Sequence, residues 1–256
     1  MFENSNINSE NDLPKNNSEI KNFSAHLIEG VKPIMVCIGT PEDFQTVEIE
    51  HPEHREHLSN DFLLKDLKNL DWAKGTYDFK EGEDVLTAGP RIYAISPIDN
   101  SNKFSGGFGH CMGLIVAGID KKTGENISFI THQPSSFSED FTVDLKKRLN
   151  EMKERCRQGS VDAIIVGGIS NSNELFKKIY VKTIHFLSKE TRQTFGFEPV
   201  IVNGPKVLVP VTVDEVSFDN KNRRLYLIRS KVNSNIGSFV DSSFNKQNRE
   251  MGTDFI

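Results

Sequence analysis

The residues most able to do chemistry in this chain are a cysteine and a histidine. Cys111 closes the glycine-rich segment Ser105-Gly106-Gly107-Phe108-Gly109-His110-Cys111, and His132 sits in Thr131-His132-Gln133 one hairpin's length downstream. A thiol becomes a strong nucleophile when a base takes its proton, and an imidazole is the usual agent. Glycines just before the cysteine let backbone N–H groups approach a reacting carbonyl. The pattern therefore points to Cys-His acyl transfer. His132 would take the thiol proton and Cys111 would attack a carboxamide carbon. Amides near Gly109, His110 or Cys111 would hold the oxyanion, and His132 would protonate the leaving nitrogen. Ser105, Thr131 and Gln133 are the hydroxyl and amide groups available to orient the imidazole. No Asp or Glu lies close enough in sequence to be assigned that role. Gly109, His110 and Gln133 are candidates for substrate or oxyanion contacts. His110, next to Cys111 along a strand, is expected to point to the opposite face.

Whether the pair can meet depends on the elements that carry it. The run Met112 to Ile119 is apolar at nearly every position, as in a strand buried on both faces. Lys121-Lys122-Thr123-Gly124 reads as a turn and Ile127 to Thr131 as the returning strand. With a four-residue loop, Asp120 pairs with Glu125, Cys111 falls opposite Pro134, and His132 is its diagonal neighbour on the same face. Such neighbours lie about 7–8 Å apart, within reach of long side chains. A two-residue loop also keeps the pair on one face, whereas a three-residue loop separates them.

Around this hairpin, 33–38 reads as a buried strand ended by Gly39. A helix is expected from about 54 to 72, with Leu58, Phe62, Leu63, Leu67 and Leu70 at helical spacing. Val85 to Ala88 and Arg91 to Ile95 read as strands. A helix over about 143–157 places Leu145, Leu149, Met152 and Cys156 on one stripe, with Gly159 ending it. Ala163 to Val166 is a strand closed by Gly167-Gly168. Asn173 suits the N-cap of a helix carrying Phe176, Ile179, Tyr180 and Leu187. Strands over 199–202, 207–213, 215–218 and 223–228 follow, with Pro210 pushing its strand to an edge or a bulge and a turn at 219–222. Runs of strands with a few helices imply an α+β fold.

At this point the residues resemble a family. Ser105-x-Gly107-x-Gly109-x-Cys111, then strand, turn and a strand ending in His132, is similar to the chemoreceptor glutamine deamidases of the CheD family. The resemblance extends from about residue 84 to 230. It includes the helix after Phe141, the strand and paired glycines Ala163 to Gly168, the helix after Asn173, and the closing strands from Val200 to Ile228. Cytotoxic necrotizing factor-type toxins are similar in carrying a Cys-His site on comparable architecture. The resemblance implies mixed and antiparallel sheets packed as a sandwich with flanking helices. It implies Cys111 as nucleophile, His132 as base, and Ser105 where the family has threonine. It also implies protein glutamine deamidation, on a chemoreceptor-like or a host protein. Serine lacks the stiff β-branch of threonine. His110 stands where a small residue is usual, and Asn203-Gly204-Pro205-Lys206 where a Gly-Gly and arginine stretch is expected.

The resulting division is a polar, disordered tail over 1–24 and an extension over 25–83 with a strand and a helix packed on the core. A catalytic domain follows over 84–230, then a polar tail over 231–256. The net charge of −5 gives no reason to expect nucleic acid or an acidic membrane surface as partner. Three cysteines without a CxxC spacing suggest neither a disulfide framework nor a zinc site. No apolar run approaches the roughly 18 residues of a membrane span, and the N-terminus lacks a signal core, so a cytoplasmic setting is expected, with signal-less secretion left open. Cys37 and Cys156 read as core residues. The His51, His54 and His57 cluster is poorly aligned on the expected helix and reads as a solvated face. The glycines lack a phosphate-loop or dinucleotide fingerprint, so no cofactor is implied. Two other readings share these residues: a non-enzymatic adaptor, and a thiol hydrolase or transglutaminase.

Overall fold

In the computed structural model the described residues are 24–38, 49–57, 93–134, 138–168, 174–204 and 212–231. They form ten strands: β1 (Met35–Ile38), β2 (Arg55–His57), β3 (Ala94–Ile95), β4 (Lys103–Phe108), β5 (Met112–Ile119), β6 (Asn126–His132), β7 (Asp162–Gly167), β8 (Val200–Asn203), β9 (Thr212–Asp219) and β10 (Arg224–Lys231). Among the described residues there are also two α-helices, α1 (Glu139–Arg155) and α2 (Glu174–Phe195). One sheet runs β2-β1-β10-β9-β4 and the other β3-β6-β5-β7-β8. Strand orientation is mixed: β1 is parallel to β2 and β10, and β7 to β8, while the remaining pairs are antiparallel. The fold is α+β, as the sequence pattern implies.

The apolar run of β5 sits at the centre of the second sheet because both of its faces are covered. Ile115 and Ala117 face the first sheet, where they pack with Ile34, Val36, Val216, Phe218, Leu225 and Leu227. Leu114 and Val116 face the other way, beneath Phe141, Leu145, Leu149 and Met152 of α1 and Leu187 of α2. The layers are therefore sheet, sheet and helix pair. Alternation within one strand serves two cores at once. β1, from the segment read as an extension, lies inside the first sheet and contributes Val36 to its core.

Several expectations need correction. The helix expected from about 54 instead begins as a 3-10 turn (Pro52–His54) and a strand, β2, paired to β1. Pairing with an exposed strand edge overrides a weak local helical pattern there; residues 58–72 lie outside the described set. The glycine-rich turn is mostly a strand, β4. Helix α1 starts earlier than 143 because Ser138 caps it, accepting from the Phe141 amide at 3.2 Å. Cys156 is the C-cap in extended conformation and not part of the helical stripe. The two strands expected at 207–213 and 215–218 are, in the described part, the single strand β9. Val85 to Ala88, Asn173, Pro210 and the two polar tails, apart from Ser24 and Lys231, fall outside the described residues. No described helix is long and apolar enough to cross a membrane.

Candidate functional site

The β5–β6 hairpin sets the register. Asp120 donates its amide to Glu125 at 2.8 Å and receives that of Gly124 at 2.8 Å, closing the four-residue loop. Gly124 takes φ +76°, which a side chain would resist. The Asp120 carboxylate accepts the amides of Lys122 (2.7 Å) and Thr123 (3.2 Å), so the turn is built by its first residue. From there Ile115 pairs with Ile130, and Met112 exchanges both backbone bonds with Gln133 at 2.8 and 2.9 Å. This is the register expected for a four-residue loop. It makes His132 the diagonal neighbour of Cys111, on the face turned toward the first sheet.

The first sheet supplies the rest. The Ser105 Oγ lies 2.7 Å from His132 Nδ1, a hydrogen bond between the two sheets. The Phe108 ring stacks on the imidazole at 4.1 Å and 17°. Ser105 and Phe108 are three residues apart and would face opposite ways on a regular strand. Opposite β9, however, Ser105 pairs with Val216 and Phe108 with Asp214, three steps on one strand against two on the other. This bulge turns both side chains onto His132. Phe108 is the site residue that the sequence pattern did not single out. Only the extra residue in the ladder, invisible without β9, brings it into place.

Cys111 precedes β5 and is partly buried against the inter-sheet core. Its carbonyl accepts the Gly168 amide at 2.9 Å. Gly167, at φ +82°, passes so close that a Cβ there would stand 2.5 Å from the Cys111 carbonyl oxygen. Among the described residues the His132 ring makes no hydrogen bond other than that to Ser105.

Burial pushes the Cys111 thiol up to about 11 and the His132 imidazole down to about 4. An aromatic face beside an imidazolium would favour the charged ring by about 0.5–2 kcal/mol. The downward shift from 6.5 amounts to roughly 3 kcal/mol the other way, so desolvation wins. At neutral pH the site rests as a neutral thiol beside a neutral imidazole. A base needs its Nε2 lone pair free, which requires the tautomer whose Nδ1–H donates to Ser105 Oγ.

The other candidates are distributed as follows. Gly109 is buried and His110 partly buried in the bend before Cys111, and burial lowers the imidazole of His110. His110 lies in that bend and not along a strand beside Cys111, so strand alternation does not decide its direction. Gln133 and Thr131 belong to the opposite face. Thr131 Oγ1 accepts the Leu114 amide at 2.9 Å and donates to Gln133 Oε1 at 2.8 Å. The Gln133 side chain is thus tied to Thr131 on the helix-layer face, and the structure does not bring it to His132.

Cys37 and Cys156 are buried, and burial raises both thiols. His54 is fully buried with Nδ1 3.0 Å from the Ile34 carbonyl, while His51 lies 3.6 Å from Glu50 and 3.8 Å from Glu53. His54 ends the 3-10 turn, His57 ends β2 and His51 precedes the turn, so the helical alignment argued for the three does not apply. No group of three His, Cys, Asp or Glu among the described residues is placed to hold a metal ion. No protein-family model matches the chain, and no curated protein is detectably similar to it.

Proposed function

We propose that the chain is a protein glutamine deamidase acting through Cys111 and His132. The observation that carries this reading is the 2.7 Å bond between Ser105 and His132, which joins residues 27 positions apart from different sheets on the face that Cys111 shares. The resemblance to the CheD family, in which Cys111 would be the nucleophile, His132 the base and Ser105 the counterpart of a threonine, supports the same reading.

In the reaction, His132 Nε2 takes the thiol proton as Cys111 Sγ bonds to the carboxamide carbon. The oxyanion is held by amides of the Gly109 to Cys111 bend. His132 returns its proton to the nitrogen, the C–N bond breaks, and ammonia leaves a thioester. His132 then takes a proton from water, the hydroxide attacks, and the C–S bond breaks to give glutamate and the thiol. With no charge at rest, the base is engaged only as the sulfur attacks. The substrate is a glutamine-bearing protein, chemoreceptor-like or of a host, and the setting is a reducing compartment such as cytoplasm.

Incubation of candidate substrate proteins with the wild type and with Cys111→Ser tests the reaction. Ammonia release, with glutamine converted to glutamate by mass spectrometry, is expected from the wild type alone. Equal conversion by Cys111→Ser would exclude this chemistry, and cleavage or amine incorporation would move the site to a thiol hydrolase or transglutaminase. One observation favours the adaptor reading: burial raises the Cys111 thiol with no compensating charge. Its signature would be partner binding unaffected by Cys111→Ser, with no chemical change in the partner.

A further inference from the structure

We infer that Phe108 is a positioning residue for His132: its ring fixes the imidazole plane and shuts water off one face. Nδ1 then stays on Ser105 and Nε2 stays free for Cys111. The inference rests on the deamidase reading for its meaning in catalysis, but its physical content is independent of any substrate.

The ring cannot move far. Phe108 is fully buried, and it lies over two glycines on neighbouring strands of the other sheet. A Cβ at Gly113 would meet its Cε1 at 2.9 Å and its Cζ at 3.0 Å. A Cβ at Gly167 would meet its Cδ1 at 3.0 Å. Those glycines leave a slot of the depth of a ring, and the bulge between Ser105 and Phe108 aims the side chain into it. The same strand segment thus delivers a hydrogen-bond partner to the edge of the imidazole and a flat apolar wall to its face, at 4.1 Å and 17°.

A serine hydroxyl alone leaves the imidazole free to rotate about its hydrogen bond. It also accepts either tautomer, because a hydroxyl both donates and accepts. The parallel wall removes the rotation. The groups facing the imidazole explain why burial dominates its protonation. Ser105 and Phe108 from β4 are uncharged, and Cys111, reached through the β5 register, rests as a thiol. Asp214 of β9 stands opposite Phe108 in the ladder and His110 lies in the bend before Cys111, yet burial is the single cause of the shift of His132.

The test uses the full chain with labelled histidine, His132 being assigned by His132→Gln. Long-range proton–nitrogen spectra read tautomer and titration together. In the wild type a single tautomer protonated at Nδ1 is expected, with a midpoint near 4. Phe108→Ala should admit water, raise the midpoint by a unit or more and mix the tautomers. Phe108→Leu keeps the site dry, so it should leave the midpoint low yet still mix the tautomers. It serves as the test if the alanine variant fails to fold. If deamidation is detected, both variants should lose about tenfold in kcat with KM changed less than twofold, as expected for misplacement of a base. A folded Phe108→Leu variant retaining one tautomer and full kcat would overturn the inference. So would an unmoved midpoint in folded Phe108→Ala. Absence of deamidation in the wild type would sink the functional reading while leaving the spectroscopic test intact.

Discussion

At the scale of single residues, Cys111 and His132 differ from an ion pair poised in advance. Among the described residues no charge shifts the thiol, and burial pushes it up to about 11. Alkylation of the folded protein by iodoacetamide should therefore be slow at neutral pH and climb steeply only above pH 9. His132→Ala should hardly alter that profile, yet it should lower turnover by about 10²–10⁴-fold, the range for loss of a general base. A thiolate already present at pH 7 would sink the neutral resting pair. Acid stability gives a second check. The folded imidazole sits near 4, below its ordinary value of 6.5, so the unfolded chain binds the proton more readily. The contribution of His132 is intact above about pH 6.5 and lost as pH falls toward 4. His132→Gln should reduce the pH dependence of unfolding within that window, leaving the share of His110, whose imidazole burial also lowers, as measured by denaturant titration. The buried or hydrogen-bonded carboxylates of Asp99, Asp120 and Asp162 are held below 3.8, so their losses begin only at about pH 5 and fall mostly below the His132 window.

At the scale of elements, the site is a hairpin meeting a bulged edge. The hairpin was readable from sequence because its signals are local: an apolar strand, a turn headed by Asp120, and a glycine at the left-handed position. The strand β4 was not readable, since Gly106 and Gly107 carry no strand preference and its pairing partner lies more than a hundred residues away. Ser105 could be named from spacing, whereas Phe108 could not, because its facing depends on the bulge. The glycines that receive Phe108 carry a matching prediction. Gly167→Ala adds a Cβ 2.5 Å from the Cys111 carbonyl oxygen at φ +82°, so it combines backbone strain with overpacking. It should destabilise by about 2–4 kcal/mol and displace Cys111. Gly124→Ala, also at positive φ, meets only the tip of Arg157 at 3.3 Å in an exposed turn. It should lose about 1–2 kcal/mol and leave Cys111 alkylation unchanged. Equal effects of the two on alkylation would show that the approach at Gly167 does not position the cysteine.

At the scale of the whole molecule, the two sheets are joined by polar groups at the end of β5 opposite the candidate site. Asp162, 1% exposed, accepts the Ile34 amide at 2.7 Å and the Ala163 amide at 2.9 Å, with His26 Nε2 at 3.5 Å. Arg223, also buried and at φ +54°, donates to the carbonyls of Ser160 at 3.1 Å and Ala117 at 3.3 Å. Burial by itself would raise the Asp162 carboxyl, but hydrogen bonds from His26 and Ile34 and the Arg223 charge hold it below the usual carboxylate range. None of this was visible in sequence, where Arg223 looks like an ordinary hairpin residue and Asp162 precedes an apolar run. Asp162→Asn leaves the Arg223 cation buried with less compensation, and breaking such a set typically destabilises by about 3–5 kcal/mol. Arg223→Met should act similarly through the carboxylate. Because each single change strands the other charge, the double variant should be more stable than the sum of the two losses by about 1 kcal/mol or more. Additive losses in a double-mutant cycle would mean that the two groups act separately. The pH profile of Cys111 alkylation should match the wild type in every folded member of the cycle. The chemistry sits at one end of the sheet pair and the polar staple at the other, with the apolar span of β5 between them.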